Sequence, residues 1–271
     1  MAVDGLSPEE LRRFIRENHE KRYLLVDVRQ PGEYENVHIP GAHLMPLPRL
    51  ADSMDSLPAG KALIFYCHSG SRSLAAASMA DGQVEGHGPI YNLDGGIMAW
   101  NGAMLADTPR VQLFAGLDVA AMLKMAMNLE KGALRFYEHV RESRAQASWS
   151  EVSARLAQAE MAHARIVYDF LAKVHSDTEP FETLFDQLEG DVLEGGLSLD
   201  RALEALDSIS TEACLRCLEF ALRMEYAAYD LYRTLAEQAR SDDARQAFLS
   251  LAQAEKAHMR TLSTAIEDCP Q

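Results

Sequence analysis

Over the first hundred residues the hydrophobic pattern changes character every few positions; beyond residue 117 it is helical throughout. Two short apolar runs, YLLVDVR (23–29) and KALIFYC (61–67), lack the alternation of a half-solvated strand. Unbroken apolar runs of this length predict strands buried on both faces, as in an α/β sheet. Ahead of the first run, SPEELRRFIRE predicts a short helix with Ser7 as N-cap and Pro8 at the first helical position. The second run ends at Cys67, and the loop HSGSRS leads from it directly into the helical SLAAASMA. Cys67 thus falls at the C-terminal end of a strand, where open α/β sheets bind ligands.

The helical half is a duplication. LAQAEMAH (156–163) recurs as LAQAEKAH (251–258), and the offset of 95 also relates Glu130 to Glu225 and Tyr137 to Tyr232. Internal repeats of this kind set the architecture. Residues 117–142 and 148–174 predict one helical hairpin, joined by SRAQAS, and 211–240 with 242–266 predict a second, joined near SDD. The long connection 175–200 holds a short helix around 180–188 and a break at Gly195–Gly196. Two antiparallel hairpins with one long crossover predict a ferritin-like four-helix bundle.

Spacing converts to geometry in that bundle. Glu130 and Glu160 lie thirty residues apart around a turn near 145, and Glu225 and Glu255 repeat this around a turn near 240. At ~1.5 Å per residue, out and back returns the chain to the same height, so all four glutamates share one level. Glu160 with His163, and Glu255 with His258, are i, i+3 pairs on one helix face. Four glutamates and two histidines pointing inward at one level need compensation, and a pair of divalent metals supplies it.

Composition narrows the setting. The 271 residues carry a formal net charge of −15, which argues against a nucleic-acid partner or an anionic membrane surface. The sequence contains neither a long apolar segment nor a secretory signal at its start. Four cysteines are too few for a disulfide scaffold of this length. The expectation is a soluble cytoplasmic protein with two domains, 1–108 and 117–271, joined by a linker at 109–116. Cys214 and Cys217 form a C-x2-C pair, but the offset maps them to Val119 and Met122, which predicts core packing. Cys269 is expected to be disordered near the C-terminus.

At Cys67 the setting favours a thiolate. A loop wrapped around the sulfur aims backbone N–H groups inward, and the following helix adds its N-terminal partial charge. Cys67 is therefore expected to have a depressed pKa and to act as a nucleophile. Gly70 permits the tight turn, while Ser69, Ser71 and Arg72 offer donors to an anion above the sulfur.

These residues resemble a rhodanese domain over roughly 5–105. DVRQPGEYENVHIPGA (27–42) matches the family's D-x-R…E-[FY]…H-I-x-G-A segment, CHSGSRS (67–73) its active loop, and GGIMAW (95–100) its G-G-x-x-x-W tail. The resemblance implies that Cys67 carries sulfane sulfur as a persulfide between a small-molecule donor and acceptor. It makes the 68–72 amides, from His68 through Arg72, the cradle and Arg72 the anion contact. Asp27 and Arg29 either organise the pocket floor or form a structural salt bridge; His38 is structural. His68 is either a proton donor or an exposed loop side chain. Related phosphatases carry C-x5-R; Cys67 to Arg72 is C-x4-R, a tighter cup matched to sulfur transfer.

Residues 117–267 resemble the rubrerythrin branch of the ferritin-like superfamily, through E-x6-Y on the first and third helices and E-x-x-H on the second and fourth. That resemblance implies two non-haem irons, with manganese or zinc as possible substitutes. Glu160 and Glu255 would bridge them, Glu130 and Glu225 would be terminal ligands, and His163 and His258 would cap one iron each. Tyr137 and Tyr232 are either hydrogen-bond partners of the ligating carboxylates or core packing. Peroxide, dioxygen or a sulfur species would be the substrate. Two departures stand out. The family's additional glutamate three residues after the helix-three ligand is replaced by Ala228, and a rubredoxin-type pair of C-x2-C motifs is missing, so electrons would come from an external donor. The expected whole is a sulfurtransferase fused to, or coupled with, a di-iron oxidoreductase, as a homodimer. The alternative is a sulfurtransferase whose bundle serves as a dimerisation scaffold or an iron-handling module.

Overall fold

A computed structural model describes residues 3–83, 86–106, 108–144, 149–210 and 213–269. The chain divides into two compact units, Met1–Thr108 and Pro109–Gln271.

The first unit is built on a five-stranded parallel sheet. Its strands are β1 (Asp4–Leu6), β2 (Tyr23–Asp27), β3 (His43–Leu44), β4 (Ala62–Tyr66) and β5 (Ile90–Leu93), in the order β1-β5-β4-β2-β3. The apolar runs divide their side chains between two faces, as a period of two requires. Leu24, Val26, Leu63 and Phe65 enter one core with Ala76, Ala77 and Ala80, while Tyr23, Leu25, Ile64 and Tyr66 enter the other with Leu11 and Trp100. Both faces are thus covered by helices, which explains the missing alternation. Those helices are α1 (Pro8–Glu17), α2 (Pro31–Asn36), α3 (Leu47–Ser53), α4 (Ser71–Gln83) and α5 (Gly96–Ala99). Ser7 and Glu10 close a capping box on α1. Strands β1 and β3, at the sheet edges, are three and two residues long. That is too short to leave a periodic signal.

The second unit is a bundle of four long helices: α6 (Val119–Ser143), α7 (Ser150–Val174), α10 (Cys214–Gln238) and α11 (Asp242–Glu267). Asp118 caps α6 and Ser241 caps α11 through side-chain bonds to the first-turn amides. Helices α6 and α7 pack along their lengths, as do α10 and α11, and α7 meets α11. The turn SRAQAS lies partly outside the described residues. Val111–Phe114 forms a 3-10 turn that buries Phe114 edge-on against Phe248.

The crossover contains α8 (Phe181–Gln187) and a further helix, α9 (Leu199–Asp207), which the sequence reading left out. Arg144 holds the end of α9, donating to the carbonyls of Leu206 at 2.9 Å and Ile209 at 3.0 Å. At Gly132 the crossover passes directly over α6: a Cβ there would fall inside contact distance of the Val192 carbonyl. Glycine is what lets the two backbones approach.

One expectation is overturned. Cys269 is ordered and forms a disulfide with Cys214, their Cα atoms 5.8 Å apart, so the start of α10 is tied to the end of α11. Cys214 and Cys217 both lie in the bundle core, as core packing predicts, and Cys217 keeps a free thiol there. The offset argument placed Cys214 in the core but could not show its bond, because it compares repeats and is blind to a partner in the unduplicated tail. The bond spans 55 residues. Cys269→Ser should therefore cost about 4 kcal/mol of bundle stability by the loop-entropy argument. Thermal melts with and without reductant check this, since only the wild type should respond. No described helix is long and apolar enough to cross a membrane.

Candidate functional site

In the first unit the loop after β4 closes around Cys67, whose residue is 1 % exposed. The Gly70 amide donates to Sγ at 3.1 Å. Ser73 Oγ, in the first turn of α4, stands 3.4 Å from Sγ and 2.6 Å from Asn92 Oδ1 of β5. Burial pushes the thiol pKa up, but the Ser73 hydroxyl and the amides of Ser73, Ser69 and Gly70 outweigh it, and the net shift is downward. The thiolate is therefore populated below the pH at which an ordinary cysteine ionises. Ser73→Ala should move the midpoint of the pH-dependent iodoacetamide alkylation rate upward. At neutral pH the alkylation rate should fall about threefold to tenfold, the worth of one ordinary hydrogen bond of about 1 kcal/mol.

The GGIMAW segment explains how the loop keeps its amides inward. Ile97 N–H donates to the Cys67 carbonyl at 2.9 Å, and Met98 N–H to the His68 carbonyl at 3.1 Å. With its carbonyls held from behind, the loop presents N–H groups to the sulfur. Gly96 has φ +58°, and a Cβ there would lie 2.5 Å from the Cys67 carbonyl oxygen. Gly96→Ala is expected to displace the cup and move the midpoint of the pH-dependent Cys67 alkylation rate upward, since the amides that hold the thiolate move with it. The same iodoacetamide titration checks it.

Arg72 is engaged by Glu33 of α2 through two bonds of 2.8 and 2.9 Å. That hydrogen bonding holds the Glu33 carboxyl down at about 2 and raises Arg72 further. The guanidinium sits near enough to Cys67 for the thiolate to contribute to that rise. Asp27 and Arg29 form a fully buried pair, with Arg29 Nη2 2.6 Å from Asp27 Oδ2 and 2.8 Å from the Val37 carbonyl oxygen. They hold the β2 end against α2 from inside. His38 is buried and stacked on Tyr34 with ring centres 3.8 Å apart, while His68 and Ser69 are exposed on the loop and Ser71 opens α4. Ser73 and Glu33 lay inside the motifs already quoted but had been given no role. Only the folded loop shows which hydroxyl faces the sulfur.

In the second unit Glu130 (α6), Glu160 and His163 (α7), Glu225 (α10), and Glu255 and His258 (α11) converge inside the bundle, every one of them buried. His163 Nδ1 lies 3.1 Å from Glu160 and 3.3 Å from Glu130. His258 Nδ1 lies 3.0 Å from Glu225 and 3.3 Å from both Glu160 and Glu255. The tyrosines cross between the repeats. Tyr137 on α6 donates to Glu225 on α10, and Tyr232 on α10 donates to Glu130 on α6 at 2.5 Å. This reciprocal exchange is the duplication expressed in hydrogen bonds.

The charges are mutually dependent. Burial drives Glu160 up to about 7 and Glu255 well above its ordinary range. Burial would lower both histidines, but the carboxylates around them win, and His163 and His258 rise to about 9 and about 10. Burial likewise opposes ionisation of Glu225, yet His258 and the Tyr137 hydroxyl bring it down to about 2. Burial holds both tyrosines well above their ordinary value, so they remain donors.

Whether metals fit can be asked of the donors themselves. Glu130 Oε2, Glu160 Oε1, both oxygens of Glu255 and His258 Nε2 are buried without a hydrogen-bond partner. Buried carboxylate oxygens left this way are costly unless a cation takes them. Atoms of Glu160, His163 and His258, of Glu130, His163 and Glu255, and of Glu225, Glu255 and His258 each lie within 4.8 Å of one another. Carboxylates with imidazoles at that spacing suit divalent first-row metals. The residues fit the group.

A fourth such set joins Glu130 and Glu160 to Glu194 of the crossover, a residue the sequence reading did not single out. Repeat logic could not find it, because it lies outside the duplication. Its only signal was an acidic residue set against the Gly195–Gly196 break.

Comparison with known proteins matches residues 7–103 to a rhodanese-like domain and residues 216–271 to rubrerythrin. A sulfurtransferase of Allochromatium vinosum is 38% identical over 77 residues, covering 28% of this chain and 70% of that protein. The thiosulfate sulfurtransferase GlpE of Pseudomonas aeruginosa is 31% identical over 103 residues, covering 38% of this chain and 88% of that one. A probable adenylyltransferase/sulfurtransferase, MoeZ, of Mycobacterium tuberculosis is 35% identical over 104 residues; the match covers 38% of this chain and only 26% of that protein's length.

Proposed function

Because the chain belongs to the rhodanese-like family through its first unit and carries a rubrerythrin domain in its second, we propose that it joins two activities: persulfide-forming sulfur transfer at Cys67 and non-haem di-iron redox chemistry in the bundle. The observation that carries the reading is a sulfur cupped by donors in one unit and six buried ligand side chains converging in the other.

For sulfur transfer, the Cys67 thiolate attacks the outer sulfur of a donor such as thiosulfate. A Cys67–sulfur bond forms, the donor's S–S bond breaks, and sulfite leaves with the bonding pair. The Ser69, Gly70 and Ser73 amides that lower the thiol pKa then hold the negative persulfide. An acceptor thiolate or cyanide takes the terminal sulfur and returns the Cys67 thiolate. Arg72, fixed by Glu33, keeps positive potential at the rim of the cup for an anionic donor.

In the bundle, Glu130, Glu160, Glu225 and Glu255 would hold the two metals through their carboxylates, and His163 and His258 through imidazole nitrogens. Bound there, iron would supply electrons to peroxide or dioxygen. The protein's part is to hold Glu225 and Glu130 through Tyr137 and Tyr232, and to keep those hydroxyls protonated by burial. A cavity of about 240 Å³, lined by Leu193, Glu194, Phe220, Arg223, Met224 and Ala227 among others, adjoins the cluster at Glu194. Reducing equivalents would come from an external donor.

Protein grown with iron, treated with thiosulfate and weighed intact should gain one sulfur atom and carry two irons per chain. It should also consume peroxide when a reductant is supplied. Fewer than one metal per chain would overturn the oxidoreductase half and leave a sulfurtransferase on a helical scaffold.

A further inference from the structure

We propose that Glu194, delivered by the crossover, is a fifth carboxylate ligand of the metal cluster, placed between the cluster and the apolar cavity. The proposal rests on the di-metal reading above. Glu194 is 5 % exposed, and its carboxylate lies within 4.8 Å of ligand atoms of both Glu130 and Glu160. The Tyr232 hydroxyl that holds Glu130 is 3.4 Å from Glu194 Oε1, so one tyrosine touches both carboxylates.

The backbone around Glu194 is shaped to bring it there. Glycine at 132 lets the crossover lie on α6 at Val192, two residues before Glu194. Gly195 (φ +43°) packs against Ala227 of α10, where a Cβ would come within 2.6 Å of the Ala227 methyl. A bridge between Val192 and Ser198 closes the segment into a tight loop with Glu194 inside it. A carboxylate aimed by these contacts into four other carboxylates is opposed by their charge. A cation there reverses the sign of that interaction.

Ala228 gives the geometry an independent handle. It is fully buried, lies three residues beyond Glu225 and one turn before Tyr232, and adjoins the Ala227 on which Gly195 rests. A glutamate at 228 would share the Glu225 face and reach toward the volume that Glu194 fills.

The test is anaerobic titration of the metal-free full chain with Co(II), followed by visible absorption and chelator competition, on wild type, Glu194→Gln, Glu194→Ala and the Glu194→Ala/Ala228→Glu pair. Wild type should take two Co(II). Both single variants should bind one of the two ions at least tenfold more weakly, with an altered spectrum for that ion, and the double variant should recover affinity. Without metal, Glu194→Gln should melt roughly 2–4 °C higher than wild type, because a charge forced among like charges is gone. A purely structural crossover residue would give the opposite: lower melting and an unchanged spectrum. Two tight ions and a wild-type spectrum in both single variants overturn the proposal while leaving the di-metal reading standing. Failure of wild type to bind Co(II) overturns both.

Discussion

Replacing Cys67 with alanine is expected to lower sulfur transfer from thiosulfate to cyanide by at least about 10³-fold, with metal content unchanged. The size of the effect follows from chemistry rather than from binding. Sulfane sulfur is taken up by a thiolate, and the hydroxyls around the cup, on Ser69, Ser71 and Ser73, do not replace it. Cys67→Ser keeps the shape of the loop and should be equally inactive, separating chemistry from folding. Among the described residues the other free thiol is Cys217, which is buried and whose pKa burial raises, the opposite of what a carrier needs. Thiocyanate formation and the one-sulfur mass gain are the measurements. Activity above a tenth of wild type in Cys67→Ala would remove Cys67 from the role of carrier.

Glu160→Ala should take the bundle from two metals per chain to fewer than one. Glu160 spans the site: one oxygen faces His163 at 3.1 Å and the other faces His258 at 3.3 Å. Glu160 lies closest to both histidines, Glu255 being 3.3 Å from His258 and within 4.8 Å of His163, so its loss weakens both metal positions together. The metal-free fold should survive, because a buried acid whose pKa burial raises to about 7 is itself unfavourable once ionised. By linkage, that raised value makes its ionised form a cost that accumulates as pH rises from the unfolded pKa to about 7 and is fully present above it. The variant should therefore melt no lower than metal-free wild type at pH 8. Wild type should gain about 2.7 kcal/mol when free metal is at a hundred times its Kd, and the variant should gain almost nothing. Metal analysis and melts with and without Fe(II), under anaerobic conditions, read both quantities. Retention of two metals by Glu160→Ala would rule out its bridging role.

Much of this architecture was legible before folding because it rests on periodicity. The two apolar runs announced β2 and β4, and the repeat of LAQAE with its histidine announced the helix pairs and the level of Glu130, Glu160, Glu225 and Glu255. Such signals are local or are copied within the chain. Elements too short for a period, β1, β3 and β5, left none, and α9 was lost inside a connection read as irregular.

The sequence by itself determined which residue types recur at which spacing: a cysteine at a strand end before a tight loop, and two E-x-x-H motifs with partner glutamates thirty residues upstream. Tertiary structure alone decided which polar atoms meet. It chose Ser73 to face the sulfur and Glu33 to hold Arg72, crossed Tyr137 and Tyr232 between the repeats, paired Cys214 with Cys269, and drew Glu194 into the cluster. The physical reason is shared by four of the five. Apart from Ser73, which the local fold of its loop places, each depends on the close approach of segments distant in the chain, and for Glu194 that approach is permitted at Gly132 and Gly195 by the absence of a side chain. Spacing along a sequence carries no record of such an approach.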